Sequence, residues 1–246
     1  MKILPLSEGT FTIDQSKVFL PFDPEKDQLQ DRTRGSLLVE IQPFLVVTEK
    51  DLILFDSGLG YANSGVMQII ENLASVGYTS TDVTKVLMSH LHRDHAGGLI
   101  MHDTYSKSPF LTFPNAQHYI NSMELDHALS GKSASYDQQY FSFLSQHENV
   151  TLIDGRGCIE DYITYEISSG HSAFHQVFWL KEQDEIIFFG GDEAPQLQQM
   201  KTRFVAKYDA DGKRAMELRK QWWELGEKEH WTFLFYHDIK TPSIKL

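Results

Sequence analysis

The stretch Ser-His-Leu-His-Arg-Asp-His-Ala-Gly-Gly at residues 89–98 constrains the fold of this chain more than any other feature. It places three histidines and one aspartate within six positions, as His90, His92, Asp94 and His95. The preceding run, residues 83–88, is largely apolar and has the composition of a buried strand. Imidazole nitrogens and carboxylate oxygens are ligands for Zn, and also for Mn or Fe. The stretch therefore predicts a metal site at a strand end, since incidental surface histidines explain so restrictive a spacing poorly.

The spacing divides these four side chains between two ions. At a strand end, residues i and i+2 point to the same side, so His90 and His92 can bind one ion together. The chain must then turn, which brings Asp94 and His95 round as ligands for a second ion. The glycines at 97–98 supply the backbone freedom that this turn and the following segment require.

Hydrophobic periodicity predicts strands and helices in both halves of the chain. Short apolar and β-branched runs indicate strands, and apolar residues recurring every three or four positions indicate helices. The helix at 136–147 is expected to begin with a capping box of Ser135 and Gln138. Strands are expected at 35–48, 52–55, 83–88, 111–120 (broken by Pro114), 151–154, 161–167, 176–180, 186–189 and 231–236, and helices at 66–76, 122–129, 136–147 and 211–230. Two sheets packed face to face, with helices outside, would bury all of these elements in one domain, residues 1–246.

Three further polar residues each follow an apolar strand, and four ligands are too few for two ions. These residues are His171, Asp192 and His237. A single histidine beside a strand is more often a structural residue than a ligand. Here three strands are each followed by a possible ligand, in a chain that also carries the 89–98 stretch. This combination favours a shared metal site.

Taken together, these motifs resemble the metallo-β-lactamase superfamily of hydrolases, and most closely its acyl-homoserine lactonase-like branch. The resemblance rests on Leu-Phe-Asp56-Ser-Gly, the cluster at 90–95, Gly-His171, Gly-Gly-Asp192 and Tyr-His237-Asp. It implies an α/β fold, the four-layered αββα sandwich, with a dinuclear metal site at one edge of the sheets.

The resemblance also implies a role for each site residue. The first ion would be held by His90, His92 and His171, the second by Asp94, His95 and His237, and Asp192 would bridge them. Asp56 would orient a ligand histidine through a hydrogen bond. His175, although close to His171, would be a buried, hydrogen-bonded structural residue. The implied cofactors are two divalent ions, with Zn first and Mn or Fe as alternatives.

Two cations that share one water predict a hydrolytic mechanism. Metal coordination lowers the pKa of bound water to about 7, so a bridging hydroxide can exist at neutral pH. Asp94 would orient that hydroxide or carry its proton to the leaving group. We therefore expect a metal-dependent hydrolase of a small ester or lactone. A phosphoester or sulfoester hydrolase on the same metals, a non-catalytic metal-binding scaffold and an iron-based redox protein remain alternatives.

Departures from the family pattern reduce the range of activities that the resemblance implies. Lactonases of this branch often carry a tyrosine just after the bridging aspartate, whereas this chain has Asp192-Glu193-Ala194-Pro195. Common dizinc β-lactamases use a cysteine ligand, and the single cysteine, Cys158, occupies none of the ligand positions. The chain also lacks the basic C-terminal helical extension expected of the glutathione-thioester hydrolases.

Composition excludes several partners. The net charge of −12 disfavours nucleic acid, because phosphate binding needs a basic surface. No segment approaches the roughly 18 consecutive apolar residues of a membrane span, and one cysteine cannot form an internal disulfide, so we expect no membrane partner and a reducing cytoplasm. The expected partner is a small-molecule substrate, and a homodimer is left open.

Overall fold

The computed structural model of the protein describes residues 1–63 and 65–246. The described strands are β1 Lys2–Pro5, β2 Gly9–Ile13, β3 Phe19–Pro21, β4 Leu37–Ile41, β5 Phe44–Val47, β6 Leu52–Phe55, β7 Lys85–Leu87, β8 Ile100–His102, β9 Pro109–Leu111, β10 Gln117–Asn121, β11 Val150–Ile153, β12 Arg156–Ile159, β13 Ile163–Ile167, β14 Gln176–Glu182, β15 Glu185–Phe189, β16 Thr232–Leu234 and β17 Ser243–Lys245. The α-helices are α1 Gln68–Ser75, α2 Arg93–Ala96, α3 Ser122–Leu129, α4 Gln138–Leu144, α5 Leu197–Lys201 and α6 Gly212–Glu229, with short 3-10 turns at Leu29–Asp31 and Gly191–Glu193.

Two six-stranded sheets form the centre of the fold. The first, called the N-sheet here, has the order β1-β5-β6-β7-β10-β11, and the second, the C-sheet, has the order β12-β13-β14-β15-β16-β17. Strands β6, β7, β10 and β11 are parallel neighbours, and β15 and β16 are parallel as well. Two smaller sheets, β3-β2-β4 and β8-β9, complete the described strands.

Aromatic side chains join the two large sheets face to face. Phe55 of the N-sheet packs on Phe178 and Phe189 of the C-sheet, with ring centroids 6.1 Å and 4.9 Å apart. Because side chains alternate along a strand, Ile53 and Phe55 of β6 face this interface while Leu54 faces away from it. The central core therefore follows from the continuous apolar composition of strands that are covered on both faces.

Helices cover the outer face of each sheet. Ile69 and Leu73 of α1, Leu125 of α3 and Phe141 of α4 belong to the same buried cluster as Leu54 of the N-sheet. On the other side, Trp222 of α6 packs on Phe188 of the C-sheet with ring centroids 4.9 Å apart. The result is helix, sheet, sheet, helix, and the predicted αββα sandwich is confirmed. In the described part of the chain, no helix combines the length and apolar character needed to cross a membrane.

Several element boundaries were predicted wrongly. The run 35–48, expected as one strand, is divided at Pro43 into β4 of a small sheet and β5 of the N-sheet. Proline lacks the N–H that a continuous strand would use, which accounts for the break. The expected capping box is absent, because Asp137 precedes α4 without a side-chain cap and Gln138 reaches the carbonyl of Leu129 instead.

The run 83–88 also ends earlier than expected, since β7 stops at Leu87. His90 therefore lies in a loop beyond the strand, and His92 is the residue that precedes α2. The predicted strand geometry of this histidine pair was wrong, because His90 lies in a loop and His92 at the start of a helix.

Candidate metal centre

All seven predicted ligand residues lie at one edge of the sandwich, because they follow strands that end at that edge. In the C-sheet, β13 and β15 are both antiparallel to β14, and β16 is parallel to β15, so these three strands end at the same edge. His171, Asp192 and His237 follow these three strand ends. The loop after β7 of the N-sheet brings the remaining four residues to them.

One group consists of His90, His92, His171 and Asp192, and its ligand atoms all lie within 4.8 Å of one another. His92 Nδ1 is 2.9 Å from His90 Nε2 and 3.2 Å from His171 Nε2, and His171 Nε2 is 3.1 Å from Asp192 Oδ2. Two ligands of a tetrahedral Zn lie roughly 3.3 Å apart, given bonds of about 2.0–2.1 Å. The four atoms therefore surround a space suited to one ion.

The other group consists of Asp94, His95 and His237, again within 4.8 Å of one another. Asp94 Oδ2 is 3.7 Å from His95 Nε2 and 3.5 Å from His237 Nε2. Asp192 Oδ1 lies 3.1 Å from His95 Nε2 and 2.9 Å from His237 Nε2. The two oxygens of Asp192 thus face different groups, which is the arrangement that a bridging carboxylate requires.

Two atoms at this junction, His95 Nε2 and Asp192 Oδ1, are buried and lie 3.1 Å apart, but neither makes a hydrogen bond of acceptable geometry. A buried polar atom left unpaired costs about 1–3 kcal/mol, so such atoms are rare unless something else satisfies them. Their nitrogen and oxygen chemistry suits a divalent cation. The residues present therefore fit a pair of metal ions.

Hydrogen bonds on the far side of three rings direct Nε2 into the site. His95 Nδ1 is 2.7 Å from Asp56 Oδ2, His171 Nδ1 is 2.9 Å from Asp209 Oδ1, and His237 Nδ1 donates to the Glu40 carbonyl at 2.6 Å. Such partners fix the tautomer and the orientation of a ligand histidine. Asp56 occupies the expected position, whereas sequence reasoning missed Asp209 and Glu40 because no motif surrounds either residue.

His175 holds the backbone of Asp192 in place. Its ring is fully buried, Nε2 accepts a hydrogen bond from Asp192 N at 3.1 Å, and Nδ1 lies 3.0 Å from Ser168 Oγ. Since Nε2 is an acceptor here, the proton is assigned to Nδ1 from the hydrogen-bond network. His175 is buried and hydrogen-bonded, as expected of a residue outside the ligand set.

The electrostatic environment favours a cation. Burial alone would raise the pKa of Asp192, but His237, His95 and His171 outweigh burial and hold this pKa well below its usual range. Burial would lower the pKa of His95, but the carboxylates of Asp192, Asp94 and Asp56 raise it well above the usual value. Carboxylates that stabilise a protonated imidazole would stabilise a metal cation by the same attraction. Burial, with His95 and His92 adding to it, lowers the pKa of His90, which leaves its ring in the neutral form that binds metal.

The turn after Asp56 is held against α2 by close backbone contacts. Ser57 N donates to the His95 carbonyl at 2.7 Å, and Gly98 N donates to the Gly58 carbonyl at 3.2 Å. A Cβ atom on Gly98 would lie 2.1 Å from the Ser57 carbonyl oxygen, so only glycine allows this approach. A Cβ atom on Gly97 would likewise lie 2.1 Å from the Leu59 carbonyl oxygen. Neither glycine has a positive φ, so the close approach of the backbone, and not the backbone freedom expected from the sequence, requires glycine at 97–98.

Glu8 lies beneath the same turn and was not singled out in the sequence. Its Oε2 accepts a hydrogen bond from Leu59 N at 2.6 Å, and Oε1 is buried without a partner. Burial raises the pKa of Glu8 to about 8, and the nearby charge of Asp94 adds to the rise.

Comparison with known proteins gives consistent results. The sequence model of the Metallo-beta-lactamase superfamily matches residues 40–101. An N-acyl homoserine lactonase of Bacillus thuringiensis is 24% identical over 231 residues, which cover 85% of each protein.

Solved structures show the same fold. A probable metal-dependent hydrolase from Staphylococcus aureus superposes with a TM-score of 0.79 at 23% identity, covering 99% of this chain and 91% of that one. A dizinc quorum-quenching lactonase, AidC, in complex with a product superposes with a TM-score of 0.72 at 19% identity, covering 98% and 88% of the two chains.

Proposed function

We propose that this metallo-beta-lactamase superfamily protein, a metal-dependent hydrolase, cleaves a small ester or lactone at a dinuclear metal site. The observation that carries the proposal is the position of Asp192, whose Oδ2 faces one ligand group and whose Oδ1 faces the other. A site for a single ion would use only one of these two oxygens.

The proposal gives each of these residues one role. His90, His92 and His171 would hold the first ion, Asp94, His95 and His237 the second, and Asp192 would bridge them. Zn suits these nitrogen and oxygen ligands, and Mn or Fe would be accepted by the same set. Both groups draw residues from both halves of the chain, which supports the proposal that residues 1–246 act as one domain.

Two divalent ions bound here would activate a shared water and polarise the carbonyl oxygen of the substrate. The protein itself supplies the acid and base chemistry through Asp94. The Asp94 side chain keeps about 13% of its surface exposed, and its backbone carbonyl accepts a hydrogen bond from the Tyr236 hydroxyl at 2.7 Å. A carboxylate that is fixed at its backbone and open at its side chain can take a proton from the attacking water and pass it to the leaving oxygen.

A lactone is the first substrate to consider, because a curated relative that matches 85% of the chain is an N-acyl homoserine lactonase. The segment after Asp192 reads Glu193-Ala194-Pro195, without the tyrosine common in that branch. We therefore propose the broader class of small esters and lactones, and leave the acyl group of the substrate open.

The test combines metal analysis with a substrate panel. We expect elemental analysis after mild purification to find close to two divalent ions per chain, because seven ligands exceed what one tetrahedral ion uses. Hydrolysis of lactones and carboxylic esters should be lost with a chelator and restored by Zn. A metal content near one that added metal does not raise would contradict the dinuclear site. If the protein cleaves only phosphodiesters or sulfate esters, it is a hydrolase of those substrates and the proposed ester or lactone activity is wrong.

A further inference from the structure

Glu124 is a buried carboxylate to which the proposed reaction gives no role. It lies in the first turn of α3, where its backbone N–H donates to the Asn121 side chain at 3.0 Å. A glutamate in the first turn of a helix commonly faces solvent or caps the helix start. The Glu124 residue is only 1% exposed, and its side chain is turned toward the first ligand group.

Its two oxygens contact both chain segments that supply the histidines of that group. Oε1 accepts hydrogen bonds from Leu91 N at 3.1 Å and from the Tyr136 hydroxyl at 3.0 Å, while Oε2 accepts from Ser172 Oγ at 3.4 Å. Leu91 lies between His90 and His92, and Ser172 directly follows His171. One carboxylate therefore connects positions that are remote in sequence and adjacent in the site.

His92 has the greatest need of such a connection. His95, His171 and His237 present Nε2 to the site and are fixed through Nδ1, but His92 presents Nδ1 itself. In the described part of the chain, Nε2 of His92 has no hydrogen-bond partner. The Tyr136 ring packs edge-on against the His92 ring, with centroids 4.9 Å apart. The Leu91 N–H and the Tyr136 hydroxyl both donate to Glu124, so one carboxylate holds the backbone beside His92 and the ring that packs against it.

The same carboxylate is costly to bury. Burial raises the pKa of Glu124, and no lysine or arginine of the described residues forms an ion pair with it. A buried acid without a cationic partner lowers stability relative to an apolar side chain of similar size. The three hydrogen bonds that it accepts must offset this cost, and two of them come from segments that carry ligand histidines.

We propose that Glu124 is a positioning residue that sets the placement of His92 relative to His171 in the first ligand group. The proposal rests on the metal-dependent function proposed above. It predicts that the geometry of the first ion depends on the hydrogen-bonding shape of residue 124 and not on its charge.

Two variants separate shape from charge. Glu124→Leu removes all three hydrogen bonds. Glu124→Gln keeps an oxygen for Leu91 N and the Tyr136 hydroxyl, and its amide can donate to Ser172 Oγ. Each variant and the unaltered protein are titrated with Co²⁺, and the visible absorption spectrum, the dissociation constant of each ion and the melting temperature are recorded. Asp51→Asn is the matched control, because Asp51 is a buried carboxylate that bonds Lys85 and Tyr162 and precedes β6 at the strand end opposite the site.

We expect Glu124→Leu to weaken Co²⁺ binding to the first ligand group by about 10–100-fold, the range for partners that orient metal ligands, and to change the cobalt spectrum. Glu124→Gln should restore both, and Asp51→Asn should lower the melting temperature while leaving the spectrum unchanged. An unaltered spectrum and affinity in Glu124→Leu would overturn the positioning role, as would an equal loss in Glu124→Gln.

If Glu124→Leu does not fold, Ser172→Ala tests the same connection. It removes one bond and should weaken the first ion by a smaller factor, and unchanged binding would overturn the proposal. Failure of the unaltered protein to bind Co²⁺ would instead contradict the proposed function.

Discussion

Among single residues, Asp192 gives the most specific prediction, because its two oxygens face two different ligand groups. We expect Asp192→Ala to lower both metal content and kcat/KM, since both groups lose an oxygen. Asp56→Asn should act more mildly, within about 10–100-fold, because asparagine can still accept a bond from His95 Nδ1. Elemental analysis and steady-state kinetics of the two variants test this. Equal and negligible effects would show that the reactive site lies elsewhere.

His237 and His175 form a second informative pair at the residue scale. His237 Nε2 lies 2.9 Å from Asp192 Oδ1, whereas His175 Nε2 accepts a bond from the Asp192 backbone. We therefore expect His237→Ala to lose the second ion and most of the activity. His175→Ala should keep two ions and lose a few kcal/mol of stability, the cost of removing a buried hydrogen-bonded group. Metal content and melting temperature decide between them, and two ions retained in His237→Ala with one lost in His175→Ala would reverse the assignment.

At the scale of elements, the contact between the turn at 56–60 and α2 depends on glycine. In Gly98→Ala the new Cβ would lie 2.1 Å from the Ser57 carbonyl oxygen, and backbone on both sides cannot yield easily. We expect a loss of roughly 3 kcal/mol in the free energy of unfolding, as for other overpacked sites, and weaker metal binding because Asp56 and His95 are displaced. The control is Gly77→Ala, where a Cβ meets nothing within 4 Å and the left-handed backbone, φ 90°, costs about 1 kcal/mol. Similar losses in both variants, measured by denaturant unfolding, would mean that the close approach is unimportant.

The same elements show what the sequence predicts and what it does not. The αββα architecture was predictable because strands such as β6 and β15 are apolar on both faces, and the helical stripes of α1 and α6 cover them. The seven residues of the two ligand groups were predictable because four share the closely spaced 89–98 stretch and three each follow an apolar strand. The boundaries of β5 and β7 were not, since a proline and an early turn decide them locally.

Partners of the ligand histidines were the hardest to predict. The bond between His171 and Asp209 spans 38 positions, and the bond between His237 and the Glu40 carbonyl spans 197. Such pairs arise only once the sheets have packed together, so no local pattern marks them. Glu124 was hidden for the same reason, because its helix position alone indicates a solvent-exposed residue.

At the scale of the whole molecule, Glu8 makes stability depend on pH. Burial raises its pKa from 4.5 to about 8, so the folded state favours the protonated acid. Its stabilising contribution is therefore fully present below pH 4.5 and is lost as the pH rises through about 8. The glutamine in Glu8→Gln carries no charge at any pH. We therefore expect the free energy of unfolding of the variant, relative to that of the unaltered protein, to rise by up to a few kcal/mol from about pH 5 to pH 9. Urea unfolding at several pH values measures both curves, and two parallel curves would contradict this origin of the slope.

The two large sheets are built from consecutive halves of the chain, and the described strands pass from one sheet to the other only between Ile153 and Arg156. Ions held by residues of both halves would therefore act as a second tether, closing a long loop of backbone by coordination. A chain with one cysteine cannot make such a cross-link from sulfur. Bound metal would then stabilise the packing of the two sheets as a disulfide stabilises a small secreted domain, by cross-linking distant parts of the chain. Removing the metal would loosen the packing of one half on the other and would also stop the reaction.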